Sequence, residues 1–445
     1  MKSKEIILLI AIILAGVTIT LSRSGRLPFL EWDWQPFIIE GEQFSFEEVR
    51  LVEPPLPATL LVNNPKGEVI VEKSEGEKVE IFWEKRVWAK KEEEAKALAD
   101  GIKLVLNKTA AEVTINILTP EKIRRSYQSY LRIIAPAPLA VEISNSYGQV
   151  RVGGLSAVKA TNSHGSITLN KIPGRLQVQN RHGDINLTEV AGPAEISSEH
   201  GNLALFQVQK DVRIEARYGH LDLDELGAQL EIKAEHVSIR GRKIAGPLSI
   251  FTSYEPVDLK EVGEAEITNK YGLIRVEGGK GRLNLQNRYG TVDLTDIEGN
   301  VQVTGKNVRL AGRSLRGQEI NIESSYDNIE LQDFSGRTNI SLRHGDCSLE
   351  PTSLAAGLNF QGDYSSLRLF WPPRGNYPLE IIVRHGKIIW QLDEPAAQVE
   401  SNSQTEIRAF HQRNEAPLVR INNRFGRVVV EKSIAREEDK KPIFP

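Results

Sequence analysis

Apolar and polar residues repeat along most of this chain with a period of 17 or 18 residues, beginning near Val141. One position in each repeat holds tyrosine or histidine, usually followed by glycine, and we call these positions the landmark column. The spacing widens to 18 to 21 residues toward the end, and Phe425 supplies a detached further member. A repeat of this size is typical of architectures in which similar units stack on one another. The landmark column comprises Tyr147, His164, His182, His200, Tyr218, His236, Tyr254, Tyr271, Tyr289, Asn307 (which has no ring), Tyr326, His344, Tyr364 and His385.

The positions around the landmark alternate between apolar and polar. The position four residues before it (from Ile143 to Ile381) and the position three residues after it (from Val150 to Ile388) are apolar in every repeat. A third column, eight residues after the landmark, is apolar from Leu155 to Leu315 except at Gly279. Alternation with a period of two, broken by glycine turns, indicates short strands with one buried face. The sequence therefore predicts an all-β fold, a single-stranded β-solenoid (β-helix) of about fourteen 18-residue coils.

The outward positions carry charges whose sign alternates from one repeat to the next. Stacked strands lie about 4.8 Å apart, so equivalent residues of successive coils should face each other, and opposite charges attract. This alternation predicts that the coils stack in register, and it places Arg242 outside the ladder that contains Arg240. The alternating series are Asp222, Arg240, Asp258, Arg275 and Asp293; Arg181, Glu199, Arg217 and Glu235; and Glu195, Arg213 and Glu231.

The segment before the repeats predicts a small α/β region. Residues Leu60 to Val71 form either a hairpin or a first, imperfect coil, because a turn signal separates two apolar stretches. The spacing of apolar residues from Ala89 to Leu106 predicts an amphipathic helix between two strands, Val79–Trp83 and Glu112–Leu118.

The amino terminus predicts a transmembrane anchor. Residues Ile6 to Leu21 are apolar or weakly polar, and Lys2 and Lys4 precede them, so the positive-inside rule leaves the amino terminus in the cytoplasm. The run is slightly short for a spanning helix and slightly long for a signal peptide, but no A-x-A-like cleavage site follows it. We therefore favour an uncleaved, single-pass anchor in the cell membrane over a removed signal, with the body periplasmic or at the cell surface.

These patterns divide the chain into six parts. They are a cytoplasmic tip and transmembrane anchor (1–26), a juxtamembrane linker (27–43), the small α/β leading region (44–138), the solenoid repeats (139–395), a terminal coil and cap (396–433) and a charged tail (434–445).

Composition excludes two kinds of chemistry. The formal net charge is -3, which provides no basic field for a nucleic acid. Cys347 is the single cysteine, so no intramolecular disulfide forms, and its place in an apolar column predicts a small buried hydrophobic residue.

The repeat signature resembles the bacterial putative-adhesin family of β-strand-repeat proteins. The segments that carry the resemblance are Asn162–Leu169, Asn180–Leu187 and Asn287–Leu294, and the similarity extends from about Leu60 to Glu431. It implies a β-solenoid of the bacterial cell envelope behind a membrane anchor. It implies no catalytic residue and no cofactor.

The histidines of the landmark column are candidates for a metal site, but a structural role explains them better. His164, His182 and His200 could in principle form a ladder of metal ligands. Tyrosine replaces histidine freely in this column, however, which suits a packed planar ring and does not suit ligation. The asparagines two residues before the landmark are predicted to form the turns and to hydrogen-bond between coils; they are Asn145, Asn162, Asn180, Asn269 and Asn287.

Two groups of residues remain as candidate ligand or partner surfaces. Lys270, Arg288 and Lys306 place three like charges in successive coils, which is either a solvated edge or a site for an anionic polymer or lipid head group. The aromatic residues Trp371, Tyr377 and Trp390 lie where the repeat becomes irregular, either in a cap over the end of the solenoid or at a site for another envelope protein.

The sequence favours binding over catalysis. We expect an adhesin-like, scaffold or envelope-sensing module with no catalytic residue. The alternative is a polysaccharide lyase or glycoside hydrolase on a β-helix, which would need paired carboxylates in a cleft. Here the turns are short, and arginines alternate with the aligned carboxylates.

Overall fold

We describe the protein from a computed structural model, which covers residues 41–120, 127–373, 375–401, 403–410 and 417–433. Within these ranges, no helix combines the length and the apolar character that a membrane crossing requires. The predicted anchor at 1–26 and the predicted tail at 434–445 lie outside the described residues.

In the described part of the chain, one helix and seven strands precede the regular repeats. They are β1 (Glu42–Val52), β2 (Thr59–Asn64), β3 (Gly67–Ser74), β4 (Val79–Ala89), α1 (Glu92–Gly101), β5 (Lys103–Lys108), β6 (Glu112–Leu118) and β7 (Tyr127–Pro136).

The regular repeats form the long middle of the molecule. Their strands are β8 (Ala140–Tyr147), β9 (Val150–Gly153), β10 (Ala157–His164), β11 (Ile167–Ile172), β12 (Leu176–His182), β13 (Ile185–Val190), β14 (Ala194–His200), β15 (Leu203–Val208), β16 (Val212–Leu226), β17 (Leu230–Ala234), β18 (Val237–Ile244), β19 (Leu248–Thr252), β20 (Val257–Val262), β21 (Ala265–Asn269), β22 (Gly272–Gly279), β23 (Leu283–Asn287), β24 (Gly290–Ile297), β25 (Val301–Lys306), β26 (Val308–Leu315), β27 (Glu319–Phe334), β28 (Arg337–Pro351) and β29 (Leu358–Trp371).

The last described strands complete and close the array. They are β30 (Leu379–Arg384), β31 (Lys387–Gln391), β32 (Ala397–Ser401), β33 (Gln404–Ala409), β34 (Val419–Arg424) and β35 (Arg427–Lys432).

Each coil of the middle region contributes two strand segments that pair in parallel with the equivalent segments of the next coil. For example, β10 pairs with β12 so that Val158 faces Leu176, and β11 pairs with β13 so that Ile167 faces Ile185. The predicted all-β solenoid is confirmed, with about 13 turns. In the longest strands, such as β27 and β28, the ladder continues through the landmark turn, so one strand supplies both segments of its coil.

The core is the stack of inward columns that the sequence pattern predicts. Every residue four positions before the landmark is buried, and so is every residue three positions after it, except the partly buried Ile388 at the end. Cys347 occupies this second column and is buried, as predicted. The break at Gly279 has a packing reason, because a Cβ there would lie 3.1 Å from side-chain carbons of Ile297 and Leu283.

A second turn, seven residues after the landmark, closes each coil from that of Tyr147 to that of Tyr326 with a left-handed residue. Gly154 and Gly278 hold this position in two coils, with φ of 75° and 74°. Elsewhere residues with side chains adopt it, among them Lys171, Glu189 and Asp333, with φ between 53° and 58° across the column. Such a backbone is uncommon for residues other than glycine, asparagine and aspartate, and its repetition shows that the stacked coils fix the turn.

The region before the repeats is part of the same solenoid. Strands β2 and β3 pair in parallel with β8 and β9, so residues Leu60 to Val71 form a coil and not a hairpin. On their other side, β2 and β3 pair in parallel with β6 and β7. The later pair β6 and β7 therefore lies outside the earlier pair, and the order of coils in space differs from their order in the chain.

The predicted helix from Ala89 to Leu106 is shorter in the structure. Helix α1 ends at Gly101, and Leu106 belongs to strand β5. Glycine is a poor helix former, and residues 103–108 gain a full set of antiparallel partners in β6 instead. The strands predicted on either side, Val79–Trp83 and Glu112–Leu118, are present as β4 and β6.

The far end repeats the same departure from chain order. Strand β29 pairs in parallel with β34 and β35, and these pair in parallel with β30 and β31. The coil that contains Phe425 thus lies between those of Tyr364 and His385, although the sequence pattern predicted that His385 follows Tyr364 directly. We call β34 and β35, with their connecting turn, the inserted coil.

Antiparallel strands cover the ends of the parallel array. At one end β5 pairs with β6, and β4 pairs with β7 and β1. At the other end β33 pairs with β30, and β32 pairs with β33. A terminal coil would otherwise expose unpaired backbone groups, which promote edge-to-edge association.

Candidate functional site

The landmark residues form a ladder of stacked rings on the outside of the solenoid. Nine rings from Tyr147 to Tyr289 stack in unbroken succession, with centroids 4.5 to 5.4 Å apart and interplanar angles of 5° to 25°. A second series joins Tyr326, His344, Tyr364, Phe425 and His385. The spacing equals the separation of neighbouring strands, so the ladder follows directly from the parallel register. Its one missing ring is at Asn307.

Buried asparagines support this ladder from inside. The Nδ2 of Asn162 donates to the carbonyl oxygen of Gly148 in the preceding coil at 2.9 Å and to that of Gly165 in its own coil at 3.1 Å. Asn180 makes the equivalent bonds to Gly165 and Gly183, both at 2.9 Å. The predicted role of these amides, as turn formers bonded between coils, is confirmed.

The histidines of the column pack as rings. His164 and His182 stack at 4.8 Å, and His182 and His200 at 5.0 Å. Among the described residues, no group of three histidine, cysteine or acidic side chains has the arrangement to hold a metal ion. Desolvation lowers the pKa of His182, and the positive charges of His164, His200 and Arg181 lower it further. The stack therefore disfavours protonation at its centre.

The charge ladders have the predicted register. The Cα positions of Asp222, Arg240, Asp258, Arg275 and Asp293 are direct partners in successive coils. Arg275 Nη1 lies 3.5 Å from Asp258 Oδ2, and Arg275 Nη2 lies 3.5 Å from Asp293 Oδ2. Likewise Arg181 pairs with Glu199 at 3.1 Å.

Arg242 lies outside the ladder of Arg240, as predicted, but it belongs to a second ladder. Its guanidinium forms two hydrogen bonds with the carboxylate of Asp224, one coil away, and this contact lowers the pKa of Asp224. Arg240, in contrast, makes no ion pair within 4.0 Å among the described residues. Residues six positions after the landmark form a second series, in which Lys260 pairs with Glu277 at 2.7 Å. The charges in this second series do not alternate regularly in sign, which explains why the pattern of alternating charges in the sequence did not reveal it.

Lys270, Arg288 and Lys306 are exposed at equivalent positions of three successive coils, directly beside the ring ladder. Lys270 Nζ lies 5.7 Å from the ring centroid of Tyr271. Within the described part of the chain, none of the three forms an ion pair. The structure therefore brings together three uncompensated positive charges, spaced by one coil each.

The candidate aromatic residues near the end pack against one another. Trp371 is only 6% exposed and lies 5.3 Å from Phe410 and 6.0 Å from Tyr377, measured between ring centroids. Trp390 lies 6.4 Å from Phe410, and its indole N–H donates to the carbonyl oxygen of Glu394 at 3.0 Å. These contacts join the strands that close the solenoid, and they leave Trp371 without an exposed face for a partner.

Asp327, which the repeat pattern does not single out, lies beside the missing ring. It is 3% exposed, and its Oδ1 accepts a hydrogen bond from the backbone N–H of Val308. Its Oδ2 has no hydrogen-bond partner within the described chain. Desolvation raises the pKa of this carboxyl to about 6. The signal in the sequence that could have pointed to Asp327 is its position, because most coils have glycine one residue after the landmark.

Comparison with known proteins places this chain beside two solved structures. It is similar to a "putative cell adhesion protein" from Clostridium sporogenes, at 9% identity over 88% of this chain and 100% of the other, with a TM-score of 0.15. It is also similar to a "putative adhesin" from Bacteroides fragilis, at 8% identity over 87% of this chain and 97% of the other, with a TM-score of 0.19. No protein-family model and no curated protein matches the sequence. At these TM-scores the superposition is loose, so the solenoid fold rests on the strand pairing of this chain itself.

Proposed function

We propose that this protein is an adhesin-like binding or scaffolding module that is anchored in the cell membrane and holds an anionic polymer of the cell envelope. The observation that carries the proposal is the unpaired cation series Lys270, Arg288 and Lys306. Elsewhere the same position pairs Arg181 with Glu199 in the next coil. Uncompensated charges repeated along a rigid surface attract an extended polyanion, either an acidic polysaccharide or the head groups of anionic lipids.

A binding test separates these two sources of negative charge. The triple variant Lys270→Gln, Arg288→Gln, Lys306→Gln should lose most of its affinity for polyphosphate and oligogalacturonate at low salt. Arg181→Gln is the matched control, because Glu199 already compensates that arginine, and it should bind like the wild type. Vesicles of phosphatidylglycerol form a separate arm, and binding to vesicles alone would assign the cations to lipid. Equal binding by the triple variant and the control would refute the proposal.

The location outside the cytoplasm rests on the lysine-flanked apolar run at Ile6 to Leu21. The full-length protein should resist carbonate extraction from membranes, and its body should be accessible to protease in spheroplasts. Release into the soluble fraction, or protection of the body from protease, would contradict the anchor.

Catalysis on the solenoid has less support. Glycosidases need a carboxylate pair with one pKa raised, and lyases need a carboxylate with a basic cluster in a cleft. Hydrogen bonds from arginines lower the pKa of the ladder carboxylates Asp224 and Glu231. Asp327 has a raised pKa, but it is 3% exposed and its Oδ1 already accepts a hydrogen bond from the backbone N–H of Val308. We therefore favour binding over polysaccharide cleavage.

A further inference from the structure

The missing rung of the ring ladder leaves a gap, which we call the slot, between Tyr289 and Tyr326, where the two series of stacked rings end. Asn307 keeps its place in the coil, because its N–H donates to the carbonyl oxygen of Ser325 at 2.9 Å and its own carbonyl accepts from Gly290. The register is continuous on both sides, with Gly290 opposite Val308 and Lys306 opposite Ser325. The rings of Tyr289 and Tyr326 therefore face each other across one coil without a ring between them.

The slot is one ring thick. Two strand separations amount to about 9.6 Å, so a flat group midway would lie about 4.8 Å from each tyrosine. Rings in the rest of the ladder stack at 4.5 to 5.4 Å, which is the same distance. Tyr289 is 41% exposed and Tyr326 is 58% exposed, the highest value among the tyrosines of the column. Both residues are thus exposed to solvent.

Three exposed cations lie around the slot, and the buried carboxyl of Asp327 also lies beside it. Arg288 and Lys306 precede the landmark positions, and Arg309 follows on the other side; all three are exposed. The register partners of Arg309 are Thr291 and Asn328, so no acidic residue faces it from either neighbouring coil. None of the three cations forms an ion pair within the described residues. A ligand for this place should combine a flat ring with a negative charge.

We propose that the slot binds a terminal uronic acid, a six-membered sugar ring that bears a carboxylate, by stacking it between Tyr289 and Tyr326. The C–H faces of the sugar contact both tyrosine rings, and Arg288, Lys306 or Arg309 receives the carboxylate. This inference rests on the proposed function, because it assigns to the same cation surface the acidic polysaccharide whose end it would hold. The slot favours a sugar over a lipid head group, since a phosphate offers no face to a ring.

Filling the rung tests the slot. In full-length protein, Asn307→Tyr should complete the ladder, because Tyr254, Tyr326 and Tyr364 already adopt the left-handed φ that Asn307 has, between 52° and 76°. This variant should bind trigalacturonate roughly 10- to 100-fold more weakly than the wild type, the loss expected for two ring faces. It should bind polyphosphate, which has no ring, as well as the wild type does. Asn307→Ala, which leaves the slot open, should retain both ligands.

The outcomes separate this inference from the proposed function. If Asn307→Tyr binds trigalacturonate like the wild type, the slot assignment is wrong and the cation surface stands. If the wild type binds neither trigalacturonate nor polyphosphate, the proposed function fails and the slot assignment fails with it. If an acidic tyrosine-containing peptide binds in place of trigalacturonate and Asn307→Tyr abolishes its binding, the slot holds a protein side chain and the sugar assignment is overturned. A raised unfolding midpoint of Asn307→Tyr would show that the new ring has entered the ladder.

Discussion

Single residues of the ring ladder couple its stability to pH. The pKa of His182 is lower in the folded protein than in the unfolded chain, so the unfolded chain binds the proton more tightly. The contribution of His182 to folding stability is therefore fully present at pH values above the ordinary histidine pKa, and it decreases as the pH falls below that value. The variant His182→Tyr should unfold at nearly the same urea concentration as the wild type at pH 7.5, because tyrosine already stacks in this column.

At pH 5.5 the two proteins should differ. The midpoint of the wild type should decrease, and that of His182→Tyr should decrease less, since the variant has no proton to bind there. His220→Gln is the control, because His220 is exposed and lies outside the ring column. An equal decrease in the wild type and His182→Tyr would mean that the stack does not oppose protonation.

Asp327 should act in the opposite direction. Its pKa is raised from 3.8 to about 6, so the folded state favours the neutral carboxyl, and stability is lost as the pH rises through 6. Asp327→Asn keeps an oxygen acceptor for the Val308 N–H and removes the ionisation. It should stabilise the protein by about 1–3 kcal/mol at pH 8, given about 1.4 kcal/mol per pKa unit.

Denaturant titrations at two pH values check this prediction. The stabilisation by Asp327→Asn should shrink as the pH falls below 6 and disappear near pH 3.8, where the carboxyl of the unfolded wild-type chain also becomes protonated. Asp346→Asn is the matched control at an exposed position of the following coil, and it should show no comparable pH dependence. A destabilised Asp327→Asn at pH 8 would show that the ionised carboxylate is required.

At the level of strands and coils, the charge ladders are the most direct test of register. Arg275 contacts Asp258 and Asp293, so Arg275→Glu replaces two attractions with two repulsions. Exposed pairs of this kind contribute about 0.2–1 kcal/mol each, and the expected loss is about 1–2 kcal/mol at low salt. High salt should reduce the loss, because screening acts on exposed charges.

Arg309→Glu provides the comparison for Arg275→Glu. Its partners Thr291 and Asn328 are neutral, so the free energy of unfolding should change little. Arg240, the residue that alternation alone would choose, is a weaker test because it makes no ion pair in the described structure. Similar destabilisation by Arg275→Glu and Arg309→Glu would show that cross-coil pairing is not what the substitution disturbs.

The period of the repeat predicts the strands well, but it does not predict which residues adopt an unusual backbone conformation. The inward columns from Ile143 and Val150 onward specify both strands of each coil, because each apolar residue must stack on its equivalent. The left-handed turn at Lys171 or Glu189 could not be predicted, since residues of this kind rarely adopt that backbone. The slot at Asn307 could be suspected from its missing ring, but its two open faces depend on the stacking distance.

For the whole molecule, the sequence pattern could not predict the order of the coils in space. Repeats identify which segments are coils, but the same inward columns fit beside any neighbour, so His385 and Phe425 have equally suitable rings. The inserted coil is held by contacts at the same positions of the repeat as in other coils. Asn423 Nδ2 donates to the carbonyl oxygen of Ser365 at 2.8 Å, and Arg424 forms two 2.9 Å hydrogen bonds with Asp363.

Because of this order, strands β30 to β33, which precede the inserted coil in the chain, depend on that coil for their connection to the rest of the solenoid. In a stacked array, each coil is stabilised mainly by its immediate neighbours. Strand β30 lies between β34 and β33, and β31 pairs in the described structure with β35 alone. If the chain is ended before Pro417, residues 375–410 remain present but lose their strand pairing with the solenoid. Hydrogen exchange should then show lost protection in 375–410, while the coils between β8 and β28 keep theirs. Ending the chain after Ser433 leaves the inserted coil intact and should change neither region. If coils stacked in chain order, removal of residues from Pro417 onward would leave β30 and β31 protected against β29, and that result would contradict the inserted arrangement.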